Sequence, residues 1–259
     1  MSHAFVVPAY GESLHLQACL HSLKTQTRLD RIILVTSTPS AWLDEVAASH
    51  GLPLVVHGPN RGIAHDWNTA LAQAGTTWAT IAHQDDIYHP RFAEATLQAL
   101  AMHQDALLAF TDYEEATMAG LRRGTSLLRI KRVLLEAGFL GRDAIRSRRA
   151  RGMTLRFGCP IPCPSVTLRV DANVRFDESL GVGLDWAAWL ELCDRPGAFV
   201  WVREVLMAHR IHGDSETTAA IGGGRRAMED ENLLRRLWPD WIARMIVRSY
   251  RLAYASNKG

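Results

Sequence analysis

The sequence predicts an α/β protein built on a mostly parallel central sheet flanked by helices, with a C-terminal helical extension. Three observations carry this expectation. Short apolar or β-branched runs bounded by turn residues recur through the first hundred residues, as buried parallel strands do. Between them lie segments with apolar residues at helical spacing, giving repeated strand–helix units with right-handed crossovers. The composition is globular: 259 residues, 47% hydrophobic and 22% charged. That excludes intrinsic disorder, collagen-like repeats and a disulfide-stapled miniprotein.

In chain order, strands are expected at residues 4–8, 31–36, 52–57 and 77–83. Ser13 can cap a helix carrying Leu16, Cys19, Leu20 and Leu23, and Ser40 can cap residues 41–49, with Gly51 just beyond. A third helix, 64–74, stops before Gly75, and Pro90 opens a fourth. Residues 121–156 carry eleven arginines and lysines against Glu136 and Asp143, and are expected to mix helix and mobile loop. A Pro-punctuated strand (159–170), an amphipathic helix near 185–193, a strand (198–205) and helix from about 225 complete the chain. No internal repeat or low-complexity tract is present.

Charge and cysteine usage bound the function. With 29 Lys+Arg against 27 Asp+Glu, the net charge of +2 makes no case for a nucleic-acid partner. The balance is uneven, with five basic against eight acidic residues over 1–100 and 24 against 19 in the remainder, which suggests two jobs along one chain. Cys159 and Cys163 flank Pro-Ile-Pro, a spacing unlike zinc or thioredoxin motifs, so the cysteines read as buried thiols in a reducing compartment. The first residues show no signal-peptide pattern, and no apolar run approaches the ~18 residues of a membrane span. The expectation is a cytoplasmic protein able to rest peripherally on the inner face of the cell membrane.

Ligands of open α/β sheets bind outside the carboxyl ends of the strands. The residues there are Pro8, Tyr10 and Glu12, then Thr36 and Ser37, then Arg61, then His83-Gln84-Asp85-Asp86. Two adjacent carboxylates on a strand-to-loop turn repel each other unless a cation lies between them. A hard divalent ion such as Mn2+ or Mg2+ favours such oxygen ligands and can bridge them to phosphates.

Six segments then carry a family resemblance: Phe5-Val6-Val7-Pro8-Ala9-Tyr10; Ser22-Leu23-Lys24-Thr25-Gln26-Thr27; Asn60-Arg61-Gly62 with Asn68; His83-Gln84-Asp85-Asp86; Arg175-Phe176-Asp177-Glu178-Ser179-Leu180 followed by Asp185-Trp186-Ala187-Ala188-Trp189-Leu190; and His209-Arg210-Ile211-His212-Gly213-Asp214-Ser215. In this order, over roughly residues 3–218, they resemble the family 2 inverting glycosyltransferases of GT-A (Rossmann-like, nucleotide-binding) fold. The resemblance implies transfer of a sugar from a nucleotide-sugar donor, a UDP-sugar first, to an acceptor hydroxyl with inversion. It implies a divalent cation held by Asp85, Asp86 and His212. It places Pro8, Tyr10, Glu12, Thr36, Ser37, Arg61, Asp85, Arg210 and Ser215 at the donor, and Asp185 as the catalytic base. Residues 1–218 would form the GT-A domain, with 1–115 as the donor half and 116–218 as the acceptor half, and 219–259 would be the helical extension. Two departures stand out. The second strand ends in Thr36-Ser37-Thr38 where an Asp often contacts the base, and His83 replaces the first acid of D-x-D.

The tail from Leu233 to Tyr254 interleaves apolar residues and arginines at helical spacing, as does part of 121–156. Both suit a peripheral membrane contact and a glycan or lipid-linked acceptor, as in bacterial surface-polysaccharide assembly, and both equally suit docked helices with solvated arginines. A dinucleotide enzyme and a P-loop enzyme are excluded because neither G-x-G-x-x-G after a strand nor G-x-x-x-x-G-K-[ST] occurs. A sugar nucleotidyltransferase would need a Gly-rich basic loop after the first strand, which Pro8-Ala9-Tyr10-Gly11-Glu12 lacks. A non-catalytic GT-A-like scaffold subunit stays open at this point.

Overall fold

The computed structural model describes residues 1–212 and 225–256. The first half is a run of strand–helix units: β1 (His3–Ala9), α1 (Leu16–Lys24), β2 (Arg31–Thr36), α2 (Ala41–His50), β3 (Leu54–Val56), α3 (Ile63–Ala72) and β4 (Trp78–Ile81). β5 (Ile87–Tyr88), α4 (Phe92–Met102), β6 (Ala106–Thr117), β7 (Gly120–Arg122), α5 (Ser126–Phe139), β8 (Ala144–Ile145) and α6 (Arg148–Leu155) follow. Then come β9 (Val166–Arg169), α7 (Leu184–Leu192), β10 (Ala198–Arg210), α8 (Arg225–Arg235) and α9 (Asp240–Ser256).

One sheet runs through the molecule in the order β3-β2-β1-β4-β9-β6-β10-β5. The four strands from β3 to β4 are parallel, as expected. β9 is antiparallel to both β4 and β6, and β6 is parallel to β10. Two reversals restore direction, so β1, β2, β4, β6 and β10 all end on one edge. Helices cover both faces. The larger core holds α3, the α5–α7 region and the C-terminal helices; a second packs α1, α2 and α4 against the other face.

Local chemistry explains most boundaries. Ser40 Oγ accepts the Leu43 amide, and Gly51 closes α2 at φ +64°, a backbone conformation suited to glycine. Ser13 does not cap α1: the N-cap is His15, and Ser13 shapes the turn before it, its carbonyl accepting the Leu16 amide. The expected strands 52–57 and 77–83 shorten to Leu54–Val56 and Trp78–Ile81. The expected strand 159–170 shortens to Val166–Arg169, because the prolines divert the chain into a 3-10 turn at Cys163–Ser165.

Three elements differ more. The long strand β6 was not anticipated, because Asp112, Glu114 and Glu115 break its apolar pattern. The structure pairs Asp112 with Arg132 and with the Trp201 indole (2.9 Å), and Glu114 with Arg123. The arginine-rich segment is mostly ordered as α5 and α6. Helix α7 is not amphipathic: Leu184, Trp186, Ala187, Ala188, Trp189, Leu190 and Leu192 are all buried. The Trp186 and Trp189 indoles donate to the Leu155 and Ile161 carbonyls, at 3.0 and 2.9 Å. All four cysteines are free. Among the described residues, no helix is long and apolar enough to cross a membrane.

Candidate active site

The shared carboxyl edge of the strands gathers the chemistry. β4 runs into His83-Gln84-Asp85-Asp86, and β10 delivers His209 and Arg210 beside it. Asp86 is fully buried, and its Oδ1 accepts the Arg210 amide at 2.9 Å and lies 3.0 Å from His209 Nδ1. Burial opposes a charge on His209, but the Asp86 carboxylate outweighs it and raises the imidazole's pKa. The Arg210 guanidinium donates to the Asp85 carbonyl at 2.9 Å. It therefore braces the acidic turn. His212 Nε2 lies 2.9 Å from Asp85 Oδ2. Burial would raise the Asp85 pKa, but His83, His212 and His209 around it hold it below the ordinary range.

His83 joins this group. Its ring packs on Trp67 at 4.7 Å, and ligand atoms of His83, Asp85 and Asp86 lie within 4.8 Å of one another. Burial dominates over the two carboxylates and lowers the His83 pKa, favouring a neutral imidazole. Among the described residues, His83 Nε2 is buried without a hydrogen-bond partner. An imidazole whose Nδ1 lies 4.0 Å from Asp86 Oδ2, beside two carboxylates, is a donor set that fits a divalent cation. The residue that departs from D-x-D thus lies inside the cluster.

The residues expected at the donor fall into different environments. Tyr10 is exposed, and its backbone N–H and C=O pair with the Gln84 amide at 3.0 and 3.1 Å, tying the β1 end to the acidic turn. Pro8 is half-buried and Glu12 is exposed. Thr36 and Ser37 are buried, and their hydroxyls are engaged internally. Thr36 Oγ1 accepts the Thr38 amide, and Ser37 Oγ donates to Asp66 Oδ2, both at 3.0 Å. Asp66, on α3, went unnoticed in the sequence; it brings a carboxylate to the end of β2, where the strand itself has none. Arg61 is exposed and lies 3.1 Å from Glu178, which His65 also approaches at 3.1 Å. Ser215 lies outside the described residues.

Asp185 opens α7 behind Gly183, which adopts φ +68°, and its Oδ1 accepts the Trp186 amide at 2.7 Å. Its charge acts to raise the pKa of His83, Lys131, Cys159 and Cys163. Lys131 reaches this region from α5, with Nζ 2.6 Å from Tyr113 Oη.

The half-sheet of parallel strands thus carries an acidic turn at its carboxyl edge. The sequence model of glycosyl transferase family 2 matches residues 4–164, and the chain belongs to that family. No curated protein sequence matches significantly. Among solved structures, TarS 1–349 from S. aureus is similar at 13% identity and TM-score 0.66, covering 95% of this chain and 69% of that one. Glucosyl-3-phosphoglycerate synthase from Mycobacterium tuberculosis, crystallised with Mn2+, UDP and glucosyl-3-phosphoglycerate, gives 17%, 0.62, 91% and 80%. Mannosyltransferase PcManGT from Pyrobaculum calidifontis, with GDP-Man and Mn2+, gives 15%, 0.64, 99% and 75%. These likenesses establish a GT-A fold.

Proposed function

We propose that the protein transfers a hexosyl or related unit from a nucleotide sugar to an acceptor hydroxyl, with inversion and with a divalent cation. The observation that carries this reading is the cluster of His83, Asp85 and Asp86 at the end of β4, to which the family motif adds Asp185 as the base candidate. Asp85 and Asp86, with His83 or His212 completing the set, would hold Mn2+ or Mg2+, which when bound offsets the charge of the donor diphosphate. The similar TarS structure with UDP-GlcNAc and the synthase with UDP support a UDP-sugar donor, and PcManGT makes GDP-mannose the alternative to test. Pro8, Tyr10, Glu12, Thr36, Ser37, Arg61 and Arg210 would line or brace the donor side, the buried Thr36 and Ser37 acting through the strand end they shape, and the motif assigns Ser215 to the donor as well.

The chemistry balances on this chain's residues. The acceptor oxygen attacks the anomeric carbon as Asp185 takes its proton, and the anomeric C–O bond breaks with its electron pair leaving on the nucleoside diphosphate. One displacement inverts the anomeric centre. Residues 1–115 supply the donor half and 116–218 the acceptor half.

The acceptor is proposed to be glycan or lipid-linked, as in bacterial surface-polysaccharide assembly, with the enzyme resting on the cytoplasmic membrane face. Exposed Leu127, Ile130 and Val133 on α5 alternate with exposed Arg129 and Arg132, and α9 exposes Trp241 and Met245 beside Arg244. Apolar side chains among arginines match an anionic lipid interface.

The reading is tested by following nucleoside diphosphate release from UDP-GlcNAc, UDP-glucose and GDP-mannose. Chelation should abolish release and Mn2+ or Mg2+ should restore it. Asp185→Asn should reduce kcat by ~10²-fold or more, within the range typical of a lost general base, and leave UDP binding near normal. Full activity in chelator, or wild-type turnover in the variant, would overturn the respective assignment.

A further inference from the structure

We infer that Glu229, on helix α8 of the C-terminal extension, is a positioning residue for Asp185, which makes the extension part of the catalytic apparatus. The inference rests on the assignment of Asp185 as the base. Asp185 stands three residues beyond Val182, and the Gly181–Val182 backbone is gripped from α8. The Gly181 amide donates to Glu229 Oε1 and Oε2 at 3.0 and 3.2 Å, and the Val182 amide donates to Oε2 at 2.8 Å. Glu229 is 4% exposed, and its Oε1 is also held by Arg225 Nε at 2.6 Å. One buried charged acceptor thus fixes two consecutive N–H groups at the entry to α7. Bonds of this kind are stronger than neutral ones.

The glycines on this loop show how close the fit is. A Cβ on Gly181 would lie 2.3 Å from the Arg225 guanidinium carbon, and one on Gly183 would lie 3.1 Å from Leu233 Cδ1. Gly183 also takes a φ of +68°, which turns the chain into α7. Leu233 and Leu234 anchor α8 in the main core, at 3% and 0% exposure. The carboxylate therefore sits on a helix anchored in the core and acts on a loop in which Gly181 and Gly183 flank the buried Val182. A base misplaced by about 1 Å can cost about 10²-fold in rate, so releasing this clasp should be visible in turnover.

The test uses the full chain, Mn2+ and nucleoside diphosphate release from the same three nucleotide sugars. Glu229→Ala should lower kcat ~10- to 100-fold, with the donor KM and UDP binding changed less than ~2-fold, as expected when positioning rather than binding is lost. Glu229→Gln keeps one acceptor oxygen and should fall between the two. Hydrogen exchange at the 181–182 amides should accelerate in Glu229→Ala while β1 and β4 amides stay unchanged, which separates local release from general unfolding. In an Asp185→Asn background, Glu229→Ala should add little further loss, because it acts through the same group. Wild-type kcat in Glu229→Ala, full additivity in the double variant, or unchanged 181–182 exchange would overturn the inference. Wild-type turnover in Asp185→Asn would instead overturn the base assignment, and the exchange experiment would still report whether the clasp exists.

Discussion

Replacing Arg151 with methionine should destabilise the protein by about 4 kcal/mol. Arg151 is 3% exposed on α6, and its guanidinium fills the carbonyl fringe at the end of α7. Nη1 donates to the Leu192 and Gly197 carbonyls at 3.4 and 2.9 Å, and Nη2 to those of Cys193 and Arg195 at 3.1 and 2.8 Å. Burial lowers the pKa of this arginine, with Cys193 and Asp194 acting the other way, so its charge is costly and the four carbonyls offset that cost. A cation is also favoured at a helix C-terminus. At about 1 kcal/mol net per bond, four bonds give the figure above, within the ~3–5 kcal/mol typical of a broken buried charge interaction. Methionine fills most of the volume and leaves the carbonyls unsatisfied. For a chain of this size each kcal/mol shifts Tm by roughly 2–4 °C, so a fall of about 8–16 °C is expected. Lysine offers three donors from one point and should recover about half the loss. Urea unfolding followed by tryptophan fluorescence, with a parallel thermal melt, measures both. A loss below about 1 kcal/mol in Arg151→Met, or wild-type stability in Arg151→Lys, would refute the reasoning.

Two further outcomes follow from the same structure. Asp30 is nearly covered, and its carboxylate lies 3.0 Å from His3 Nδ1 and 2.9 Å from Arg28 Nε. Burial would raise its pKa, but these partners outweigh it and lower it. Its stabilising contribution is therefore present above the unfolded value of about 3.9 and lost as pH falls through the lower folded value. Asp30→Asn should lose about 1–2 kcal/mol at pH 7 and show a flatter acid limb in unfolding experiments between pH 5 and 2; an unchanged limb would exclude the pair as a contributor. For the membrane reading, sedimentation with vesicles containing phosphatidylserine should show salt-sensitive binding that weakens at least several-fold in Ile130→Glu/Val133→Glu. Equal sedimentation of wild type and variant would place the contact elsewhere.

The six motif segments were legible as sequence, yet several of their residues turn out to join the fold. Gln26 donates to the His89 carbonyl at 2.8 Å and accepts the Ala93 amide at 3.1 Å. Asn68 holds Phe176 through both backbone groups, each at 2.8 Å, across 108 positions. Spacing along the chain reveals such residues as a pattern, whereas their partners depend on which loops the sheet brings together. His209 was visible in the last motif without a role, and its place against Asp86 follows only from β10 ending beside the β4 turn. Glu229 carries no local signal: a glutamate amid RRAMEDENLL reads as a solvated helix face until the Gly181–Val182 amides are seen beneath it.

Local rules determined what the sequence could settle by itself. The alternation of apolar runs and helical periods specified the α/β class and the parallel front half, because each unit must bury one face on its neighbours. The adjacent carboxylates after β4 marked a candidate site, because two like charges following a buried strand repel each other unless a cation or another partner offsets them. The tertiary structure decided the rest. It turned β9 antiparallel, so that β6 and β10 end at the edge where β1 and β4 end. It brought Asp66 to a strand end lacking an acid, and it clasped the Asp185 loop from α8. These arrangements depend on contacts between segments far apart in the chain, whose energies come from burial and paired charges that no short window of sequence contains.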